Sequence, residues 1–265
     1  MESLNKYMRI LTQISCSFFL FFAIVILGQA ADSLGDPFDG NSLRNPNWEW
    51  SNEPKEWDIG KTEDGWLTIA GEHNRNLWGE DLSNRLFQKH SGDFHIETNL
   101  IHDYKDVSTV QGIIALSKTA KDANGRTPDW VTLKLWGRGA DNGNTAVLQY
   151  QARERDNEPG LTGTHPPYGQ VKQGAIPVYM RMQRTGKKFK SWYKVTEKGR
   201  WETVGVYESD LKDPIEVGLY AGIGRPGPEG ELTSHFEYFK DVDNPFTVES
   251  KDKLTTIWGK IKTVE

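Results

Sequence analysis

Residues 130–136 read Trp-Val-Thr-Leu-Lys-Leu-Trp. Val131, Leu133 and Leu135 alternate with Trp130, Thr132, Lys134 and Trp136. Successive side chains of a β-strand point to opposite sheet faces, so this period of two sorts the residues into two sets. The aliphatic set belongs to a core. The other set places two indole rings around one ammonium group. A helix would instead repeat its apolar positions every three to four residues.

The same period recurs along the chain. Trp66–Ala70, Phe94–Leu100, Val178–Gln183, Lys188–Val195, Ile215–Ala221 and Leu232–Phe239 alternate in β-branched and aromatic residues, the pattern of half-buried strands. Asp64-Gly65, Ser91-Gly92, Asn124-Gly125, Asn142-Gly143, Thr185-Gly186 and Lys198-Gly199 supply turn chemistry between them. Val178–Gln183, Lys188–Val195 and Trp201–Val206 read as a meander of antiparallel strands. Many short strands with such turns predict an all-β, two-sheet antiparallel β-sandwich. No Pro/Ser-rich linker and no internal repeat divides the chain, so residues 31–244 are expected to form one domain.

The two ends read differently. Lys6 and Arg9 precede an apolar run, Ile14–Leu27, which exits through Gly28-Gln29-Ala30-Ala31. That is the pattern of a signal peptide over residues 1–30. The run is short of the roughly 20 residues a bilayer-spanning helix needs, so no membrane span is expected after its removal. The protein is expected to be exported, to an extracellular or periplasmic compartment. The absence of an Asn-x-Ser/Thr acceptor fits a bacterial exporter. In residues 245–265, Leu254, Ile257, Trp258 and Ile261 follow one face of a short helix, either docking on the sandwich or meeting a protein partner. Arg155–Gly174, polar and rich in proline and glycine, reads as a long surface loop.

Charge and composition exclude several classes. The chain carries a net charge of −5, and −6 without Glu2, Lys6 and Arg9, which argues against nucleic acid as a partner. Cys16 is the single cysteine and precedes the expected cleavage point, so the mature chain has neither disulfides nor thiolate metal sites.

The ordered segments resemble a known group. Asp36-Pro-Phe-Asp-Gly-Asn-Ser-Leu43 with Trp48-Glu-Trp50, Asn84-Arg-Leu-Phe-Gln-Lys89, Gly92–Thr98, Gln111–Leu116, Asp129–Lys134, Val217–Gly222 and Phe236–Phe239 are similar, in order, to the concanavalin A-like domain at the C-terminus of β-xylosidases. That group overlaps the DUF1349 and laminin-G-like jelly rolls. The resemblance implies a concanavalin A-like jelly roll, found attached to glycoside hydrolases or alone in exported proteins. It also implies a structural calcium near the first and last strands, with Asp36, Asp39 and Asp241 as candidates. The alternative for these three is a turn at Asp39-Gly40 and a strand end at Asp241. No other cofactor is expected.

A glycosidase needs two carboxylates flanking its bond, roughly 5–9.5 Å apart. No strand carries an acidic pair in alternate positions; Glu97 and Glu237 stand singly and are the candidates should the chain be an enzyme. The six histidines show no ligand spacing. The aromatic residues say more, since sugars stack apolar C–H faces on rings and give their hydroxyls to planar polar groups. Ten tryptophans exceed what a core of this size requires. If their strands share one sheet, Trp130, Lys134, Trp136, Gln149, Gln151, Arg153, Tyr179, Arg181, Trp192 and Tyr220 line one groove. Trp78 and Arg225 would then lie on its rim. The competing reading for each ring is packing under a loop. Three functions follow: a secreted non-catalytic module binding a polysaccharide or glycoconjugate, a hydrolase acting on a glycan, and a structural or adhesive module. The ring-rich strand and the missing carboxylate pair favour the first.

Overall fold

The computed structural model describes residues 33–75, 77, 82–105, 108–118, 129–138, 146–153, 160–165, 174–225, 227 and 231–246. The chain divides into Met1–Ser33 and Leu34–Glu265, and the description concerns the second unit. The expected signal peptide, the tail helix and Trp78 lie outside the described residues.

Fifteen strands follow one another without a helix among the described residues. They are β1 (Glu49–Ser51), β2 (Trp57–Ile59), β3 (Leu67–Ala70), β4 (Asn84–His90), β5 (Phe94–Lys105), β6 (Thr109–Ser117), β7 (Asp129–Gly137) and β8 (Ala146–Arg153). Then come β9 (Gly160–His165), β10 (Gly174–Thr185), β11 (Lys188–Lys194), β12 (Glu202–Glu208), β13 (Ile215–Ile223), β14 (Glu231–Phe236) and β15 (Lys240–Asp241). Two antiparallel sheets result. The seven-stranded sheet runs β1-β4-β13-β6-β7-β8-β9, and the eight-stranded sheet runs β12-β11-β10-β5-β14-β3-β2 with β15 beside β5. The expected sandwich and the meander β10-β11-β12 are both present. No helix among the described residues is long and apolar enough to cross a membrane.

Part of Arg155–Gly174 departs from the expected loop. Gly160–His165 pairs with β8 as an edge strand, and Gly174 already belongs to β10. The segment lacks the aromatic alternation that marks the other strands. Its pairing rests on backbone hydrogen bonds to β8, which residue type does not encode.

The core between the sheets holds the aliphatic sets. Val131, Leu133 and Leu135 of β7 meet Leu148 and Tyr150 of β8, Ile113 of β6, Val217 and Leu219 of β13, and Met180, Leu100 and Phe236 from the other sheet. The N-terminal segment is tied to the last strands by a bridge between Asp36 and Phe239. Trp48 closes it, edge-on to Phe239 with ring centroids 5.2 Å apart.

The two sheets differ on their outer faces. β11 and β12 of the eight-stranded sheet alternate between buried and accessible residues, as half-buried strands should. In the seven-stranded sheet β6, β8 and β13 are buried at every position, and β7 at every position but Trp136. Here the expectation of a half-buried strand fails. The alternation is real, yet the face that carries the polar set is covered as well.

Candidate functional site

The outer face of the seven-stranded sheet is ordered by its register. One row runs Arg85–Tyr220–Gly112–Lys134–Gln149 across β4, β13, β6, β7 and β8. The next runs Phe87–Gly218–Ile114–Thr132–Gln151, and the third Lys89–Glu216–Leu116–Trp130–Arg153. At the other end lie Gly222, Val110, Trp136 and Val147. Trp130, Lys134, Trp136, Gln149, Gln151, Arg153 and Tyr220 therefore share one face, although all but Trp136 are buried rather than exposed. Leu77, from the segment after β3, packs with Val110, Ile114, Leu116, Trp130 and Tyr220 over part of it, and Trp136 packs against that cluster from the accessible end.

Polar groups of this face fall into two kinds. The first kind is satisfied. The Thr132 hydroxyl bonds the Ile113 carbonyl at 2.8 Å and the Tyr220 hydroxyl at 3.0 Å. Arg85 donates Nε and Nη2 to one oxygen of Glu216 at 3.1 and 2.6 Å, and Lys118 reaches the other oxygen at 2.9 Å. The Cα of Arg85 lies opposite Tyr220, four residues from Glu216. Gly218 sits between, and its missing side chain leaves the guanidinium a path along the sheet.

The second kind has no partner. Lys134, Gln149, Gln151 and Arg153 are 3%, 5%, 5% and 4% exposed. None of their side chains makes a hydrogen bond or ion pair to a described residue. The Gln151 carbonyl oxygen and the Trp130 indole N–H are buried and unbonded. Burial alone pushes the Lys134 ammonium down to about 7. Buried polar groups in folded proteins are paired in the great majority of cases, and unbonded atoms also occur inside the sandwich, at His102, Tyr104 and Gln111. Gly112 separates Tyr220 from Lys134 in their row; a Cβ there would lie 2.1 Å from the Leu133 carbonyl oxygen.

Three expected members of the groove lie elsewhere. Arg181 and Tyr179 sit on β10 and Trp192 on β11, on the outer face of the eight-stranded sheet. The correction follows from pairing: β10 joins β5, not β8. There Arg181 donates Nε to Glu97 at 3.1 Å and stacks over Trp201, 4.1 Å from the ring centroid. The Tyr238 hydroxyl donates to the other Glu97 oxygen at 2.7 Å. Asn99 donates to Glu237 at 2.7 Å. Burial pushes the Tyr238 hydroxyl up, with the Glu97 carboxylate adding to it. Glu97 is thus held by Arg181 and Tyr238 and Glu237 by Asn99, whose side-chain oxygen stays buried and unbonded. Arg225 lies in the loop after β13, where its carbonyl accepts from the Asn74 N–H at 3.0 Å.

The carboxylates of the three calcium candidates are engaged by donors of the chain itself. Asp36 is buried, and its carboxylate accepts from the Phe38, Arg44 and Asn45 amides and the Trp48 indole at 2.8–3.0 Å. Asp39 pairs with Arg44 at 2.9 Å. Asp241 accepts from Asp243, Asn244 and the Asn244 amide side chain. Calcium takes six to eight oxygen ligands, whereas these oxygens already face N–H donors. Among the described residues no three His, Cys, Asp or Glu side chains are grouped to hold a metal ion.

Sequence reasoning missed Glu216 and Arg85. Glu216 was within reach, being two alternate positions from Tyr220 on the same strand. Arg85 was not, because only the β4–β13 pairing brings it to this face.

No family model matches the chain, and no curated protein does. Solved structures do. The xylan β-1,4-xylosidase of Bacillus halodurans C-125 matches at 17% identity and a TM-score of 0.58, over 78% of this chain and 38% of that one. The GH43 protein BlXynB of Bacillus licheniformis matches at 16% and 0.57, over the same 78% and 38%. A protein of unknown function from Saccharomyces cerevisiae matches at 16% and 0.57, over 74% of this chain and 96% of that one. The chain thus spans 38% of the length of either bacterial protein. At such identities the likeness speaks for the fold, and with the geometry above it gives a two-sheet antiparallel β-sandwich of the concanavalin A-like architecture.

Proposed function

We propose that this chain is an exported, non-catalytic glycan-binding module, and that it binds through the outer face of the seven-stranded sheet. One observation carries the reading: Lys134, Gln149, Gln151 and Arg153 are buried there without partners, beside the rings of Trp130 and Trp136. The Gln151 side-chain oxygen and the Trp130 indole N–H are fully buried there, and leaving such a group unbonded costs about 1–3 kcal/mol. A saccharide supplies what they lack, hydroxyls for the amides and cations and C–H faces for the indoles. Trp136, part-buried, stands at the accessible end. The likeness to two bacterial proteins, a xylan β-1,4-xylosidase and a GH43 protein, supports a glycan as the ligand class.

Binding without turnover is supported by the carboxylates. Glu216 has both oxygens in ion pairs, and Glu97 has both engaged by Arg181 and Tyr238. A carboxylate whose two oxygens are both engaged by neighbouring donors is poorly placed to exchange a proton with a sugar. The test is affinity electrophoresis of the full chain against a polysaccharide panel, with reducing-sugar release measured in the same mixtures. Retardation that Trp136→Ala weakens, without release, is the expected result. Release of sugar refutes the non-catalytic reading, and the absence of retardation across the panel refutes the glycan reading.

A further inference from the structure

The unpartnered polar set is not electrically neutral. Lys134 and Arg153 are both cations, each buried and each without a carboxylate partner among the described residues. They stand on adjacent strands. In the register Lys134 faces Gln149, and Arg153 lies four residues further along β8. At about 3.3 Å per residue the two positions are roughly 13 Å apart along the strands. Thr132 and Gln151 fill the row between them, and Trp130 stands beside Arg153. The carboxylates of this face are already claimed, Glu216 by Arg85 and Lys118 and Glu49 by Lys89.

We propose that the glycan taken by this face is anionic, a polymer whose carboxylate or sulfate groups pair with Lys134 at one end of the strip and Arg153 at the other. The inference rests on the glycan-binding reading and adds its ligand class. A neutral sugar satisfies the amides of Gln149 and Gln151 but offers Lys134 and Arg153 no counter-charge. An anion compensates them, and the planar guanidinium of Arg153 matches a carboxylate or sulfate edge. Between the two cations, Gln151 and the Trp130 indole N–H remain for hydroxyls.

The strip also makes binding depend on pH. Lys134 titrates near pH 7 when the face is empty, and an anion favours its charged form. The other charged groups of this face are Arg153 from β8, the Arg85–Glu216 pair from β4 and β13, the Lys89–Glu49 pair from β4 and β1, and Lys118 and Arg138 at strand ends. Tyr220 is the remaining titratable group, pushed up by burial. Affinity for an anionic glycan therefore falls as pH rises past neutrality.

Matched probes test this on the full chain: polygalacturonate beside its methyl ester, dextran sulfate beside dextran, and polyglutamate as an anion without sugar. The net charge of −5 repels polyanions, so retention reports a local site. The expected result is retention by polygalacturonate, by dextran sulfate or by both, but not by their uncharged counterparts or by polyglutamate. Which of the two retains the chain separates carboxylate from sulfate. Lys134→Met and Arg153→Gln should each weaken binding by about tenfold or more, the effect of losing a charged hydrogen bond. Between pH 6 and pH 9 the affinity should fall for the native chain and stay level for Lys134→Met, with thermal melts confirming that both variants fold. Equal retention by charged and uncharged probes overturns the anionic inference and leaves the glycan reading standing. So does undiminished binding by the two variants. Equal retention by polyglutamate overturns sugar recognition, and failure of every probe overturns both readings.

Discussion

Replacing Lys134 by methionine should make the protein more stable. The ammonium is 3% exposed, has no partner among the described residues, and is pushed from 10.5 down to about 7 by burial alone. In the unfolded chain it is protonated at pH 8; in the folded chain it is largely neutral. The unfolded state binds the extra proton, so the native protein gains stability with rising pH between about 7 and 10.5. At 1.36 kcal/mol per unit, holding this lysine in place costs the fold about 3 kcal/mol at pH 8. Methionine matches its length, carries no charge and suits an apolar surround. Urea unfolding of both proteins from pH 7 to 10.5 is the assay. Lys134→Met should be more stable by about 3 kcal/mol at pH 8, with the difference growing toward pH 7 and closing near pH 10.5. A difference that does not vary with pH, or a destabilised variant, would show that Lys134 is paired or solvated in the native state. The outcome bears on function, because a residue retained against stability is retained for what it contacts.

The opposite sign is expected at Glu216. Glu216→Gln leaves Arg85, fully buried, beside a neutral amide, and should cost about 3–5 kcal/mol in chemical denaturation. His102 is buried in the core and pushed by desolvation down to about 3. Its folded value lies below the ordinary 6.5, so its neutral form contributes stability that is complete above pH 6.5 and lost as pH falls toward 3. His102→Gln should flatten that acid limb in pH-dependent melts, and an unchanged limb would count against a buried neutral imidazole. Melting temperatures taken with calcium and with a chelator should coincide, because the Asp36 carboxylate already accepts four N–H groups. A calcium-dependent rise would contradict that account.

Sequence alone determined the long alternating strands and their two faces, though not the edge strand β9. The period of two in Trp130–Trp136 separated core from outer residues without error, because side-chain alternation is a local property of the extended chain. It also placed Gln149, Gln151, Arg153 and Tyr220 on the same side as Lys134 once those strands were neighbours. Only the tertiary structure decided which strands those were. Arg181, Tyr179 and Trp192 obey the same alternation, yet the pairing of β10 with β5 carries them to the opposite side of the sandwich. Sheet membership is set by hydrogen bonds between residues far apart in the chain, and the backbone groups that form them are the same in every residue. Burial of the outer face was equally hidden. A lysine between two tryptophans reads as exposed, and its depth became visible only in the folded structure.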